Sequence, residues 1–121
     1  NTELKLYLHS CGAIMPLLDD IVDMGVDILN PIQTSAAGMD PIALKAKYGR
    51  KIVFCGGGCD TQSVLGFKPK EELEEHVKER LRIFAPGGGF IFNQIHAIQA
   101  NVDPESILTL FDTAHKFGIY K

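Results

Sequence analysis

A chain of 121 residues with 22% charged and 45% hydrophobic residues fits one ordinary globular domain, or part of a larger one. A net charge of −3 argues against a dedicated nucleic-acid binder, which carries a basic stripe, and no apolar run approaches the roughly 18 residues that span a bilayer. Three cysteines without a secretory signal point to a reducing compartment, so the expected location is cytoplasmic.

The elements alternate. Residues 4–9 read as a first strand, and Ile14, Leu17, Leu18, Ile21 and Val22 then recur at helical spacing. Pro16 is tolerated there only in the first turn, and Gly25 closes the helix. A second strand is predicted over 26–30, stopped by Pro31. Asp40-Pro41 marks a helix start, with Pro at the first helical position, and that helix ends at Tyr48-Gly49. The third strand, 51–55, opens into Gly56-Gly57-Gly58-Cys59-Asp60-Thr61-Gln62. Pro69 then starts a helix whose buried face is Leu73, Val77, Leu81 and Phe84. After Pro86-Gly87-Gly88-Gly89 comes a fourth strand, 90–93. Asp103-Pro104 repeats the helix-start signal, and Ile107, Leu108, Phe111 and Ala114 are expected to face inward.

Strict alternation with short links implies a parallel sheet with right-handed crossovers. The predicted fold class is α/β: four consecutive βα units that form the C-terminal half of a (β/α)8 TIM barrel. A small open α/β domain is the alternative. The chain begins abruptly in a strand and without Met, so residues 1–121 are expected to be a single domain cut from a longer protein. A half-barrel leaves two open strand edges, and the piece by itself is expected to self-associate and to be inactive.

In parallel α/β folds, chemistry sits at the carboxyl ends of strands. His9 and Cys11 lie where the first strand ends, and one extended segment can point both the same way. His96 stands just beyond the fourth strand, at the same end of the predicted sheet. These three match an open zinc site, which takes three protein ligands and keeps one position free. Cys59 is a reserve ligand, because its loop faces the same rim. Cys55 and Cys59 lack the second pair that a zinc ribbon requires. The amides of Gly56-Gly57-Gly58 could line a ligand pocket or cradle an anion, although the run matches neither the dinucleotide motif nor a P-loop. Gly87-Gly88-Gly89 precedes a strand and reads as a structural turn. The rim polars Asn30, Gln33, Asp60, Gln62, Asn93, Gln94 and Gln99 suit a polar substrate. His76 and His115 read as solvated or satisfied surface groups.

His9-Ser10-Cys11-Gly12, Gly25-Val26-Asp27-Ile28-Leu29, Gly56-Gly57-Gly58-Cys59-Asp60-Thr61-Gln62, Gly88-Gly89-Phe90-Ile91-Phe92 and Asp103-Pro104-Glu105-Ser106-Ile107 occur in that order. The set resembles the C-terminal half of the uroporphyrinogen decarboxylase superfamily over nearly the whole chain, and so implies the (β/α)8 barrel. It also implies an enzyme of one of two branches. Cobalamin-dependent methyltransferases of the superfamily bind zinc through an H-x-C pair and a later Cys. That branch would make His9, Cys11 and His96 the metal ligands and catalytic residues, His96 standing where the later Cys falls. Asn30, Gln33, Asp60, Gln62 and Asn93 would then bind or orient substrate. The expected chemistry is zinc-assisted methyl transfer from a methylcorrinoid, free or carried by a corrinoid protein, to a thiol. The other branch removes acetate carboxyl groups from a tetrapyrrole without metal, using an aspartate from the N-terminal half of the barrel; there His96 and the rim amides would bind propionate or acetate groups. A non-enzymatic α/β binding module is the third reading.

Overall fold

Four parallel strands in the order β1-β2-β3-β4, each followed by a helix, build the chain, and the computed structural model describes residues 2–120. The strands are β1 (Tyr7–His9), β2 (Ile28–Asn30), β3 (Val53–Cys55) and β4 (Phe90–Ile91). The helices are α1 (Leu18–Asp23), α2 (Pro41–Tyr48), α3 (Lys70–Phe84) and α4 (Pro104–Phe117). A 3-10 turn over Met15–Leu17 leads into α1 and accommodates Pro16.

Helix starts follow local chemistry. Asp40 accepts a hydrogen bond from the Ala43 N–H at 2.8 Å, and Asp103 from the Ser106 N–H at 2.9 Å, each just before a proline. The Ser106 contacts hold the Asp103 carboxyl below its usual range. Helix α3 carries Glu71 and Glu72 in its first turn and Arg82 in its last, matching the helix dipole. Lys45 of α2 closes the far end of α3, donating to Phe84 O at 2.7 Å and Gly88 O at 2.8 Å. That bond ties the glycine turn before β4 to the helical layer.

The register sorts the sheet into two faces. Leu29 and Phe54 are 0% exposed and pack with Phe90 against Leu18, Leu44, Leu73, Val77, Phe84 and Leu110. Phe84 stacks on Phe90 at 5.1 Å and meets Phe54 edge-on at 5.7 Å. Alternate residues face away, and Tyr7 and Ile91 stay 51% and 46% exposed. All the helical core residues therefore pack on one side of a parallel sheet whose strands follow chain order. That is the arrangement of a partial barrel rather than of an open sheet wound on both faces.

Three expectations need correction. The ladders are shorter than predicted at both ends. Before β1, the Leu6 N–H is held at 2.8 Å by the Asp27 carboxylate instead of by a strand, and beyond β3 the positive φ of Gly56 and Gly57 interrupts the ladder with β4. The buried residues of α4 are Thr109, Leu110 and Thr113, with Ala114 packed against the core as expected, whereas Leu108 is 63% and Phe111 44% exposed. Packing against α3 selects that face. Finally, His76 is half-buried and not on the solvated side: it accepts the Asp60 N–H at 3.2 Å, and burial pushes its pKa down.

Candidate functional site

The carboxyl ends of the strands carry a groove of about 420 Å³ lined by His9, Asn30, Asn93, Gln94, His96 and Gln99, with Ile95 and Ala97. His9 and Asn30 close β1 and β2 and are register partners. Asn93, Gln94 and His96 follow β4, and their position is set by the glycine run after β3. There the Gly56 N–H donates to Ile91 O at 3.1 Å and the Gly58 N–H to Asn93 O at 2.9 Å. A Cys59–Gln94 bridge continues the parallel pairing, with the Ile95 N–H on Cys59 O at 2.9 Å. The run must be glycine: φ is +89° at Gly56 and +88° at Gly57, and a Cβ on Gly58 would lie 2.4 Å from the Phe92 ring. The amides of Gly56 and Gly58 are thus engaged by Ile91 and Asn93 and are not free to cradle an anion.

Within the groove, His9 Nδ1 is 2.8 Å from Asn30 Oδ1, and Asn30 Nδ2 donates to Cys55 O at 3.0 Å. The Asn93 side chain accepts the Gln94 N–H at 3.0 Å. Gln94 Oε1 is buried without a partner among the described residues. No Asp, Glu, Lys or Arg is among the lining residues.

The other expected site residues lie elsewhere. Cys11 is exposed and outside the groove lining; β1 stops at His9, and the chain bends beyond Cys11 at Gly12, where φ is +88°. The Gln33 side chain accepts the Gly12 N–H at 2.7 Å. Asp60 is buried and accepts from the Gln62 N–H at 2.8 Å and from Ser63 Oγ, which fixes the turn after Cys59. Gln62 receives the Ser35 hydroxyl at 3.2 Å. Cys59 is 0% exposed, and its thiol is pushed up to about 12 by burial and then by Asp60, against Arg80 and the Leu65 N–H. Cys59 is thus packed into the core and is not among the residues that line the groove. Among the described residues, no three His, Cys, Asp or Glu side chains come close enough to hold a metal ion. The set His9, Cys11 and His96 is therefore not assembled by these residues, and no step is assigned to zinc.

Sequence reasoning placed His9, Asn30, Asn93 and His96 at one rim but missed the bond that joins Asn30 to His9. The signal was available: both residues end adjacent strands that run in the same direction.

A one-sided parallel sheet with a polar groove at its carboxyl ends defines the class, a (β/α)-barrel fold represented here by four of its units. The family model described as Uroporphyrinogen decarboxylase (URO-D) matches residues 1–117, and the chain belongs to that family. Over 106 residues it is 26% identical to a uroporphyrinogen decarboxylase of Anaeromyxobacter dehalogenans, and over 104 residues 29% identical to that of Herminiimonas arsenicoxydans. It is 32% identical over 101 residues to the protein of that name from Mannheimia succiniciproducens. Each match covers 84% of this chain but only 27% of the relative, so the chain spans about a quarter of the curated relatives it matches. No helix among the described residues is long and apolar enough to cross a membrane.

Proposed function

We propose that the intact protein decarboxylates a tetrapyrrole bearing several carboxylate side chains, and that this chain supplies part of the substrate-binding wall. The observation that carries the reading is the groove lining: the His96 imidazole and the amides of Asn93, Gln94 and Gln99 are available as donors, and no carboxylate stands among the lining residues. Amide and imidazole N–H groups donate to carboxylates, and a carboxylate in the wall would repel them. The names of the curated relatives support the same reading. In the reaction, the bond between a side-chain methylene and its carboxyl carbon breaks, carbon dioxide leaves, and a proton takes its place. The residues of this chain hold and orient the ligand while that exchange occurs. The test is incubation of the intact protein with uroporphyrinogen and chromatography of the products: successive loss of carboxyl groups supports the reading, and unchanged substrate overturns it.

Zinc-assisted methyl transfer to a thiol stays as a second reading on one observation, the motif His9-Ser10-Cys11. Metal analysis of the intact protein separates the two. About one zinc per chain, together with methylation of a thiol by methylcobalamin, would favour the second reading.

A further inference from the structure

We propose that Asn30 is a positioning residue that fixes the ring of His9 in one tautomer, with the proton on Nδ1 and the Nε2 lone pair offered to the groove. The argument starts at Cys55, whose carbonyl oxygen can only accept a hydrogen bond. The Asn30 atom 3.0 Å from it must therefore be the amide nitrogen, which settles the orientation of the side chain. Asn30 Oδ1 then faces His9 Nδ1 at 2.8 Å. An amide oxygen only accepts, so Nδ1 is the protonated nitrogen, and in the neutral ring Nε2 keeps its lone pair. The backbone supports the same geometry, because the Ser10 N–H donates to Asn30 O at 2.8 Å and pins the end of β1 beside β2. Gly56 leaves the space: a Cβ there would stand 3.3 Å from Asn30 Nδ2. Asn30 is only 9% exposed, and both of its amide atoms are engaged, so its part is to orient His9 rather than to meet the ligand expected of it from sequence.

The consequence is chemical. An imidazole held in this way accepts a hydrogen bond from the ligand instead of donating one. The matching ligand feature is an N–H or O–H donor, and where the tetrapyrrole reading holds, on which this last assignment rests, it is a pyrrole N–H.

The test is nitrogen-15 NMR of the histidine rings in the intact protein, without substrate, at a pH where the His9 ring is neutral. The expected spectrum shows His9 Nδ1 protonated and Nε2 unprotonated. Asn30→Leu removes the acceptor and should move the proton toward Nε2, while Asn30→Asp restores an acceptor and should keep it on Nδ1. A His9 ring protonated on Nε2 in the unsubstituted protein overturns the proposal, as does a tautomer unchanged in Asn30→Leu. Should Asn30→Leu not fold, the unsubstituted protein and Asn30→Asp decide the matter, and loss of the Nδ1 proton in either one overturns it. None of these readouts uses a substrate, so failure of the decarboxylase reading and failure of this proposal are separate results.

Discussion

Replacing Gly58 by alanine tests whether the glycine run after β3 builds the groove. Gly58 does not have a positive φ, so alanine fits its backbone and any penalty comes from space. The added Cβ would stand 2.4 and 2.7 Å from two carbons of the Phe92 ring and 2.9 Å from Asn93 O. The ring has little room to turn, since it lies between Phe90 and Phe111 with centroids 6.3 Å from each. Asn93 O cannot retreat without loosening its bond from the Gly58 N–H. Overpacking of this kind costs about 1–3 kcal/mol, and loss of a backbone hydrogen bond adds about 1 kcal/mol. We expect Gly58→Ala to destabilise the intact protein by roughly 2–4 kcal/mol in equilibrium urea unfolding. The amide signals of Asn93, Gln94 and His96 should shift as well, since β4 must move. Gly12→Ala is the comparison: no atom lies within 4 Å of its Cβ, and only the φ of +88° is strained. That variant should lose stability without moving the groove signals. A Gly58→Ala protein within about 0.5 kcal/mol of the unsubstituted one, the ordinary range for a neutral surface change, with the Asn93 signal unmoved, would refute the reasoning.

Cys11 should react with a thiol reagent in the native protein, while Cys55 and Cys59 react only on unfolding; native labelling of Cys59, detected by mass spectrometry, would contradict its burial. Because the Cys59 thiol is raised from 9.0 to about 12 in the fold, its contribution to stability is complete below pH 9 and is lost as pH rises toward 12. Cys59→Ala should therefore flatten the alkaline limb of the stability curve measured by urea unfolding. His76 has the opposite sign: its pKa is lowered by burial, so stability should fall as pH drops through and below 6.5. His76→Gln, which keeps an acceptor for the Asp60 N–H but cannot be protonated, should weaken that acid dependence. Phe84→Ala removes a fully buried ring that contacts Phe54 and Phe90, and should cost about 3–5 kcal/mol in the same unfolding assay.

Much of the fold could be read from sequence because its signals are local. Asp40-Pro41 and Asp103-Pro104 mark helix starts within four residues, and Leu73, Val77, Leu81 and Phe84 face inward because charged residues occupy the rest of α3. The alternation of these elements was enough to give a parallel sheet in chain order, and so to bring His9 and His96 to one end of it. In α4 the same method was right for Ala114, which packs against the core, but wrong for Leu108 and Phe111. Ile107, Leu108, Leu110 and Phe111 offer more than one apolar stripe, and only the packing on α3 selects Leu110 over Leu108. The site depended still more on tertiary structure. Cys11 follows His9 by two residues yet is exposed and does not line the groove, and Cys59 sits on a rim loop yet is fully buried in the core. Asn30 looked like any other polar residue at a strand end. Its bond to His9 spans 21 residues and depends on the register between β1 and β2, which no local pattern encodes. Secondary structure follows from interactions among near neighbours, whereas the direction a side chain faces at the end of a strand is decided by what the next strand places beside it.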